Sequence, residues 1–211
     1  MSLNIILLYA VTVLIASIIP GPTMLLAFTH GVQFGAKRTI ASALGNITIS
    51  LIQALISIAG LGTVLIASET AFQIIKLTGA AYLIYIGISI LFSPNMTISN
   101  NDIRRPKQKV TLRKMFTQSA FVTAGNPKAI LFFTAVFPQF INPDSSFLLQ
   151  FSLLASVGCA VAFGCFMLYA IFGQKLLLIF SKSVVGEYIS KIIGGTFIGM
   201  GLFLAGSKFK Q

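Results

Sequence analysis

In this chain of 211 residues, the side chain that most clearly could bind a ligand or an ion is a lysine inside an apolar stretch. Lys128 follows Pro127 and is itself followed by Ala-Ile-Leu-Phe-Phe. A charged side chain at membrane depth is costly, and such residues commonly contact a substrate, an ion or a counter-charge. An ammonium group in that position suits a carboxylate. The alternative is that Lys128 extends to a membrane surface or bonds only to backbone carbonyl groups.

Two proline-containing segments are predicted to interrupt helices. Pro20-Gly21-Pro22 and Asn126-Pro127-Lys128 each fall within an apolar run. Proline removes a helical hydrogen bond and clashes with the preceding turn, so a helix should break at both segments. Backbone groups freed at membrane depth are tolerated where they are buried in protein or line a cavity. The positive end of the helix that follows a break suits an anion such as an amino-acid carboxylate.

Polar residues in the second apolar run offer further hydrogen-bonding groups. Asn46, Ser50 and Gln53 recur at helical spacing and therefore share one face of a helix. They could line a polar cavity or form hydrogen bonds with neighbouring helices, and the pattern favours neither.

Titratable and metal-binding side chains are scarce. His30 is the only histidine, and its place near the end of an apolar run allows either a titrating or a structural role. Cys159 and Cys165 lie in one apolar run without other ligands, which predicts packing residues and no metal site. The acidic residues fall in predicted loops or at span ends: Glu69, Asp102, Asp144 and Glu187. We therefore expect no catalytic residues, no cofactor and no enzyme.

The composition indicates that most of the chain is surrounded by lipid. Hydrophobic residues make up 56% of the sequence and charged residues 9%, whereas soluble domains have about 25% charged residues. The mean hydropathy is +0.93. The net charge of +11 does not indicate nucleic-acid binding, because the cations lie in short clusters between apolar runs. The first residues lack a positive flank, so we expect no cleavable signal peptide.

Six apolar runs are near the roughly 20 residues that a membrane-spanning helix needs. They are continuous rather than alternating, which favours helices over a barrel. The predicted spans are Leu3–Phe28, Thr39–Ala67, Ala71–Phe92, Met115–Ile141, Phe147–Gly173 and Ile192–Ser207.

The basic residues predict the orientation of these spans. Cytoplasmic loops carry an excess of lysine and arginine. Most of the 15 cations fall on one side of a six-span arrangement: Lys37, Arg38, Arg104, Arg105, Lys107, Lys109, Arg113, Lys114, Lys175, Lys182 and Lys191. We therefore expect loop 93–114 inside the cell and both termini outside.

A short pattern occurs once in each half of the chain. Lys-x-x-Gly-small-x-aromatic is found at Lys76–Tyr82 and at Lys191–Phe197, and each half contains one proline break. A unit of three spans ends on the opposite side of the membrane from its start, so a second copy of it is inverted. The pattern therefore predicts two inverted repeats in one membrane domain, residues 1–92 and 115–211. Inverted repeats are typical of secondary transporters, whose sites lie between the halves.

The same residues resemble the LysE/RhtB family of amino-acid exporters over nearly the whole chain. The matching elements are Pro20-Gly21-Pro22 with Gly31 and Gly35, Gly45 and Gly60, Gly79-Ala80-Ala81-Tyr82-Leu83 with Gly87, and Asn126-Pro127-Lys128 with Phe137-Pro138-Gln139-Phe140. The resemblance implies an inner-membrane carrier that expels amino acids, driven by the proton gradient. Many relatives carry Gly-Asp where this chain has Ile49-Ser50, which argues against acid-based coupling or cation recognition there.

The sequence thus predicts an all-α integral membrane protein whose first and fourth spans are broken and which exports neutral amino acids of the threonine, homoserine or branched-chain type. The predicted partners are the substrate and the bilayer, and a glycine face is compatible with a homodimer. Exporters of other metabolites, membrane enzymes and scaffolds are the alternatives. The predicted binding residues are Pro20, Gly21, Pro22, Thr23, Asn46, Ser50, Asn126, Pro127 and Lys128.

Overall fold

The structure is a computed structural model that describes residues 1–58, 69–92, 110–142, 145–179 and 183–206. Over these ranges the chain is helical and has no strand, which confirms the all-α prediction. The α-helices are α1 (Leu3–Ile18), α2 (Pro22–Phe34), α3 (Ala36–Ile58), α4 (Glu69–Leu91), α5 (Leu112–Ala124), α6 (Pro127–Leu131), α7 (Phe147–Ile179) and α8 (Ser183–Gly206). A π-helix (Phe132–Val136) and a 3-10 helix (Phe137–Phe140) continue α6.

Two sharp bends occur at the proline segments. The axes of α1 and α2 differ by 64°, and those of α5 and the helical segment from Pro127 to Phe140 differ by 59°. Pro22 and Pro127 each occupy a first-turn position of the following helix, where a missing N–H group costs nothing. The residues before these prolines, Gly21 and Asn126, are extended because the α region is disfavoured for a residue that precedes proline.

Length and hydropathy identify between two and four membrane spans among the described residues. Helix α3 and the first 30 residues of α7 qualify alone, and each bent pair qualifies if it is counted as one span. Shorter apolar helices cover Leu77–Leu91 and Lys191–Gly206. Many large apolar side chains on the outer faces are exposed, such as Leu7, Phe121 and Leu168, as expected for contact with lipid.

The helix bounds differ from the predicted spans at two basic segments. Helix α5 begins at Leu112, so Arg113 and Lys114 lie in its first turn and not in the loop that was predicted to extend to residue 114. The Thr111 side chain caps this helix by accepting a hydrogen bond from the Lys114 N–H group. Helix α8 begins at Ser183, well before the predicted span start. The rest of loop 93–114, up to residue 109, lies outside the described residues.

Glycines allow close contact between helices. Helix α4 packs on α8, α3 on α5, and both α1 and α2 on α7. A Cβ atom added to Gly87 would lie 2.7 Å from the Gly194 carbonyl oxygen, so no side chain fits between α4 and α8 there. Gly195 and Gly199 have no atom within 4 Å of such a Cβ among the described residues, so they do not bring these helices together.

Candidate functional site

The two helix breaks are in direct contact. The Asn126 side-chain amide donates a hydrogen bond of 2.7 Å to Thr23 Oγ1. Lys128 Nζ donates one of 2.7 Å to the Ile19 carbonyl oxygen at the end of α1. A Cβ atom on Gly21 would lie 3.3 Å from Lys128 Nζ, so the absence of a side chain there leaves room for the ammonium group. The lysine of the second break is therefore hydrogen-bonded to the backbone beside the first break.

Asn126 connects the two breaks through a single buried side chain. Its carbonyl oxygen accepts a hydrogen bond of 3.1 Å from the Lys128 N–H group, while its amide group bonds to Thr23. The residue is 2% exposed. Its amide carries the acceptor and the donors on separate atoms, so asparagine can cap α6 with one and join it to α2 with the other.

We expect Asn126→Ala to lower thermal stability more than a cap removal at the surface does. It removes a cap worth about 1 kcal/mol and also leaves buried partners without a hydrogen bond, which costs about 1–3 kcal/mol. Melting temperature in detergent would measure the loss. Thr111→Ala is the matched control, because it removes an exposed cap of α5. Equal losses in both variants would contradict this account.

A tyrosine from α7 completes the hydrogen bonding at the first break. The Tyr169 hydroxyl donates a bond of 2.8 Å to the Ile18 carbonyl oxygen. The last carbonyl groups of a helix have no partner within the helix, and water is scarce at membrane depth. Tyr169 and Lys128 thus satisfy adjacent carbonyl groups at the end of α1. Tyr169 was not predicted, since it lies far along the chain from both breaks in an apolar run.

A cavity of about 100 Å³ opens where the breaks meet. A water molecule needs at least about 10–15 Å³ of such space, so the cavity has room for several waters or a small solute. Five of the predicted binding residues line it: Thr23, Asn46, Ser50, Asn126 and Lys128. The lining does not include the other four, which instead form the breaks: Pro20, Gly21, Pro22 and Pro127.

Two oxygen atoms of α3 are available at the cavity. Asn46 uses its amide group to donate a hydrogen bond of 3.0 Å to Thr123 Oγ1, a bond in which its carbonyl oxygen takes no part. The Ser50 hydroxyl also lines the cavity. Gln53, on the same helix face, instead donates to the Thr123 carbonyl oxygen and is absent from the lining. The helix face predicted from spacing thus divides between the cavity and an interhelical contact.

An apolar, largely aromatic wall faces these polar groups, and its residues were not among those predicted from the sequence. It includes Tyr9, Val13, Leu51, Phe132, Phe133 and Phe137. The Tyr9 ring packs edge-on against Phe137, with ring centres 5.9 Å apart, and is tilted against Phe132 at 6.4 Å. Phe132 and Phe133 lie one helical turn after Lys128, so their place in the sequence could have indicated this wall, whereas Tyr9 reaches the cavity only through the packing of α1.

The wall includes part of the π-helix. The Ser57 hydroxyl of α3 donates to the Phe133 carbonyl oxygen, a group in this irregular turn. π-Helical turns are rare and are frequent at functional sites, because they shift side chains relative to a regular helix. This turn places Phe132 and Phe133 together on the cavity lining.

His30 is buried away from the cavity and is 2% exposed. Its Nδ1 atom lies 2.6 Å from Ser42 Oγ and its Nε2 atom 3.2 Å from Gln118 Oε1. The acidic side chains that could have paired with it in an enzyme, Asp102 and Glu187, lie outside the described side chains. Within the described part, no three His, Cys, Asp or Glu residues lie close enough to hold a metal ion.

The cysteines differ in their surroundings. Cys159 is partly exposed and lines the cavity, whereas Cys165 is buried. Cys165 packs in an apolar cluster with Met24, Ala27, Ala43 and Phe166. Packing is thus the role of Cys165, and Cys159 is additionally accessible from the cavity.

Comparison with known proteins identifies related sequences. A homoserine/homoserine lactone efflux protein of Salmonella typhimurium is 30% identical over 200 residues, which is 95% of each chain. A leucine efflux protein of Salmonella choleraesuis is 27% identical and covers 93% of this chain and 92% of its own. An uncharacterized membrane protein of Vibrio cholerae is 29% identical over 99% of this chain and all of its own.

The relatives and the apolar helices together show a multi-pass membrane protein. No solved structure matches the chain. The family model of the LysE type translocators matches residues 14–208, which confirms the resemblance seen in the breaks and glycines. The chain belongs to the LysE type translocator family.

Proposed function

We propose that this chain is a secondary transporter that exports neutral amino acids across the bacterial cytoplasmic membrane, driven by the proton gradient. The observation that carries the proposal is the contact between two helix breaks at a cavity that contains one ammonium group, that of Lys128. Broken helices at a cavity are typical of secondary transporters. Family membership and the amino-acid efflux names of two relatives support the substrate class.

The substrate carboxylate would bind Lys128. In the structure the ammonium group donates to the neutral Ile19 carbonyl oxygen. The ammonium group has three N–H donors, so it can bind a carboxylate beside this contact, and the attraction between opposite charges would favour that pair. The positive end of α2, beside Gly21, would add to the attraction.

The substrate ammonium group would bind the oxygen atoms of Asn46 and Ser50. Among the described residues, no carboxylate contributes to the cavity lining. Neutral amino acids are therefore preferred, because a second positive charge on lysine or arginine would lose its hydration without gaining a counter-ion. The aromatic wall would receive an apolar side chain such as that of leucine.

The proposed architecture has six spans in two inverted three-helix halves, residues 1–92 and 115–211, with loop 93–114 inside the cell and both termini outside. In the two halves α1 corresponds to α5, α3 to α7 and α4 to α8. The packing of α3 against α5 therefore corresponds to the packing of α7 against α1, and the α4–α8 pair corresponds to itself. Each half also contributes one break. These features support the arrangement.

Efflux measurements would test the proposal. Cells that express the chain would be preloaded with labelled leucine, threonine, homoserine, lysine or homoserine lactone. We expect faster efflux of the three neutral amino acids than in cells without the protein, no effect on lysine, and loss of the effect when an ionophore collapses the proton gradient. Unchanged efflux of every compound, with the protein present in the membrane, would contradict the proposal.

A further inference from the structure

On one side of the breaks the helices form two close pairs. Helix α7 lies so close to α2 there that a Cβ atom on Gly31 would overlap the Ala170 carbonyl group. Helix α3 lies against α5 in the same way, since a Cβ atom on Gly45 would overlap the Phe116 carbonyl group. Backbones in such contact leave little room for sliding, so each pair should move as a unit.

This side also carries the basic helix ends. The Ala36 N–H group at the start of α3 donates a hydrogen bond of 2.6 Å to Gln174 Oε1 of α7. The Arg38 side chain donates to the Val110 carbonyl oxygen, just before α5. The ends of all four helices therefore lie together, and we call this region the basic side.

His30 forms a second polar contact between the two pairs, and this one is buried. It lies on α2, while Ser42 lies on α3 and Gln118 on α5. Gln118 Oε1 accepts hydrogen bonds only, so Nε2 must carry a proton, and the neutral ring then accepts at Nδ1 from the Ser42 hydroxyl. The apolar contact beside it uses small side chains, Ala27 of α2 and Ala43 of α3.

The cavity does not extend to the basic side. Its lining includes no residue of α2 beyond Met24, none of α3 before Asn46, none of α5 and none of α7 after Ala162. The paired helices around His30 therefore separate the cavity from the basic side.

We infer that His30, Ser42 and Gln118 form the latch of a gate that closes the cavity toward the basic side. The inference rests on the proposed function, because an exporter must admit its substrate from the cytoplasm. Separation of the α2–α7 pair from the α3–α5 pair would open that path, and it would break the two hydrogen bonds of His30 together with the one between Ala36 and Gln174. Both helix pairs would remain intact, so the opening is a rigid-body movement of a known kind.

The native Cys159 thiol provides a reporter of this gate, since it lines the cavity. In a Cys165→Ala background it is the only cysteine in the chain. A membrane-impermeant maleimide would be applied to vesicles whose basic side faces the reagent, as shown by labelling of a Lys175→Cys marker in cysteine-free protein. We expect slow labelling of the parent and labelling about tenfold faster in His30→Ala, because lost hydrogen bonds raise the open population. Gln118→Leu and Ser42→Ala each remove one contact, and we expect smaller increases.

Two controls distinguish a gate from general loosening. Thr48→Val removes a hydrogen bond within α3 only and should leave the labelling rate unchanged. Ile86→Cys, in protein without other cysteines, reports on the buried α4–α8 interface and should stay unreactive when His30 is replaced. Unchanged Cys159 labelling in all three latch variants, or an equal rise at Ile86→Cys, would overturn the inference. Labelling requires no substrate, so faster labelling without any amino-acid efflux would support the gate and contradict the proposed function instead.

Discussion

Lys128→Met is expected to reduce neutral amino-acid efflux about 10- to 150-fold, since a hydrogen bond to a charged group contributes about 1.5–3 kcal/mol and each 1.4 kcal/mol is about tenfold. Methionine has a similar length and fills the same space, so the variant removes the ammonium group while keeping the packing. The cavity would then lack a positive side chain to receive the substrate carboxylate. Initial efflux rates at matched protein levels would measure the loss.

Lys128→Arg should transport at an intermediate rate. It keeps the positive charge, but the planar guanidinium group cannot occupy the position that the ammonium group has beside Gly21 and the Ile19 carbonyl oxygen. Lys175→Met is the matched control, because it removes an exposed cation at the basic side and should leave the rate near that of the parent. Full transport by Lys128→Met would exclude the lysine from the binding site.

Homoserine lactone offers a further check on the role of Lys128. The lactone has no free carboxylate, so any efflux of it should be reduced less by Lys128→Met than the efflux of homoserine. Equal losses for both compounds would indicate that Lys128 acts through its contact with the α1 end and not through the substrate.

Gly31→Ala is expected to lower the stability of the whole bundle. The new Cβ atom would overlap the backbone of Ala170, and a backbone cannot turn aside as a flexible side chain can. Helices α2 and α7 would have to separate, and such overpacking costs about 1–3 kcal/mol. We expect a melting temperature in detergent several degrees below that of the parent.

Gly164→Ala is the matched control for this prediction. Gly164 lies on α7, and no atom of the described residues lies within 4 Å of its hypothetical Cβ. Alanine is favoured over glycine in a helix by about 1 kcal/mol, so this variant should be as stable as the parent or slightly more stable. Similar melting temperatures for the two variants would show that the α2–α7 contact yields more easily than the structure indicates.

The local features of this protein were accessible from its sequence. Proline acts on its own helix, so Pro22 and Pro127 predicted both bends without knowledge of their neighbours. Continuous apolar runs likewise predicted the helices, because a helix satisfies its own backbone groups in lipid. Lys128 stood out because a charge in such a run is rare.

The tertiary structure decided which of these features meet. Spacing placed Asn46, Ser50 and Gln53 on one helix face, but only packing put Asn46 and Ser50 on the cavity lining while Asn46 and Gln53 bond to Thr123. It also brought Tyr169 to the first break. The physical reason is that these helices are apolar on nearly every face, so hydrophobic periodicity does not mark the face that meets protein. Close packing of glycines against backbone selects that face, and a glycine on its own does not reveal whether its neighbour is a helix or lipid.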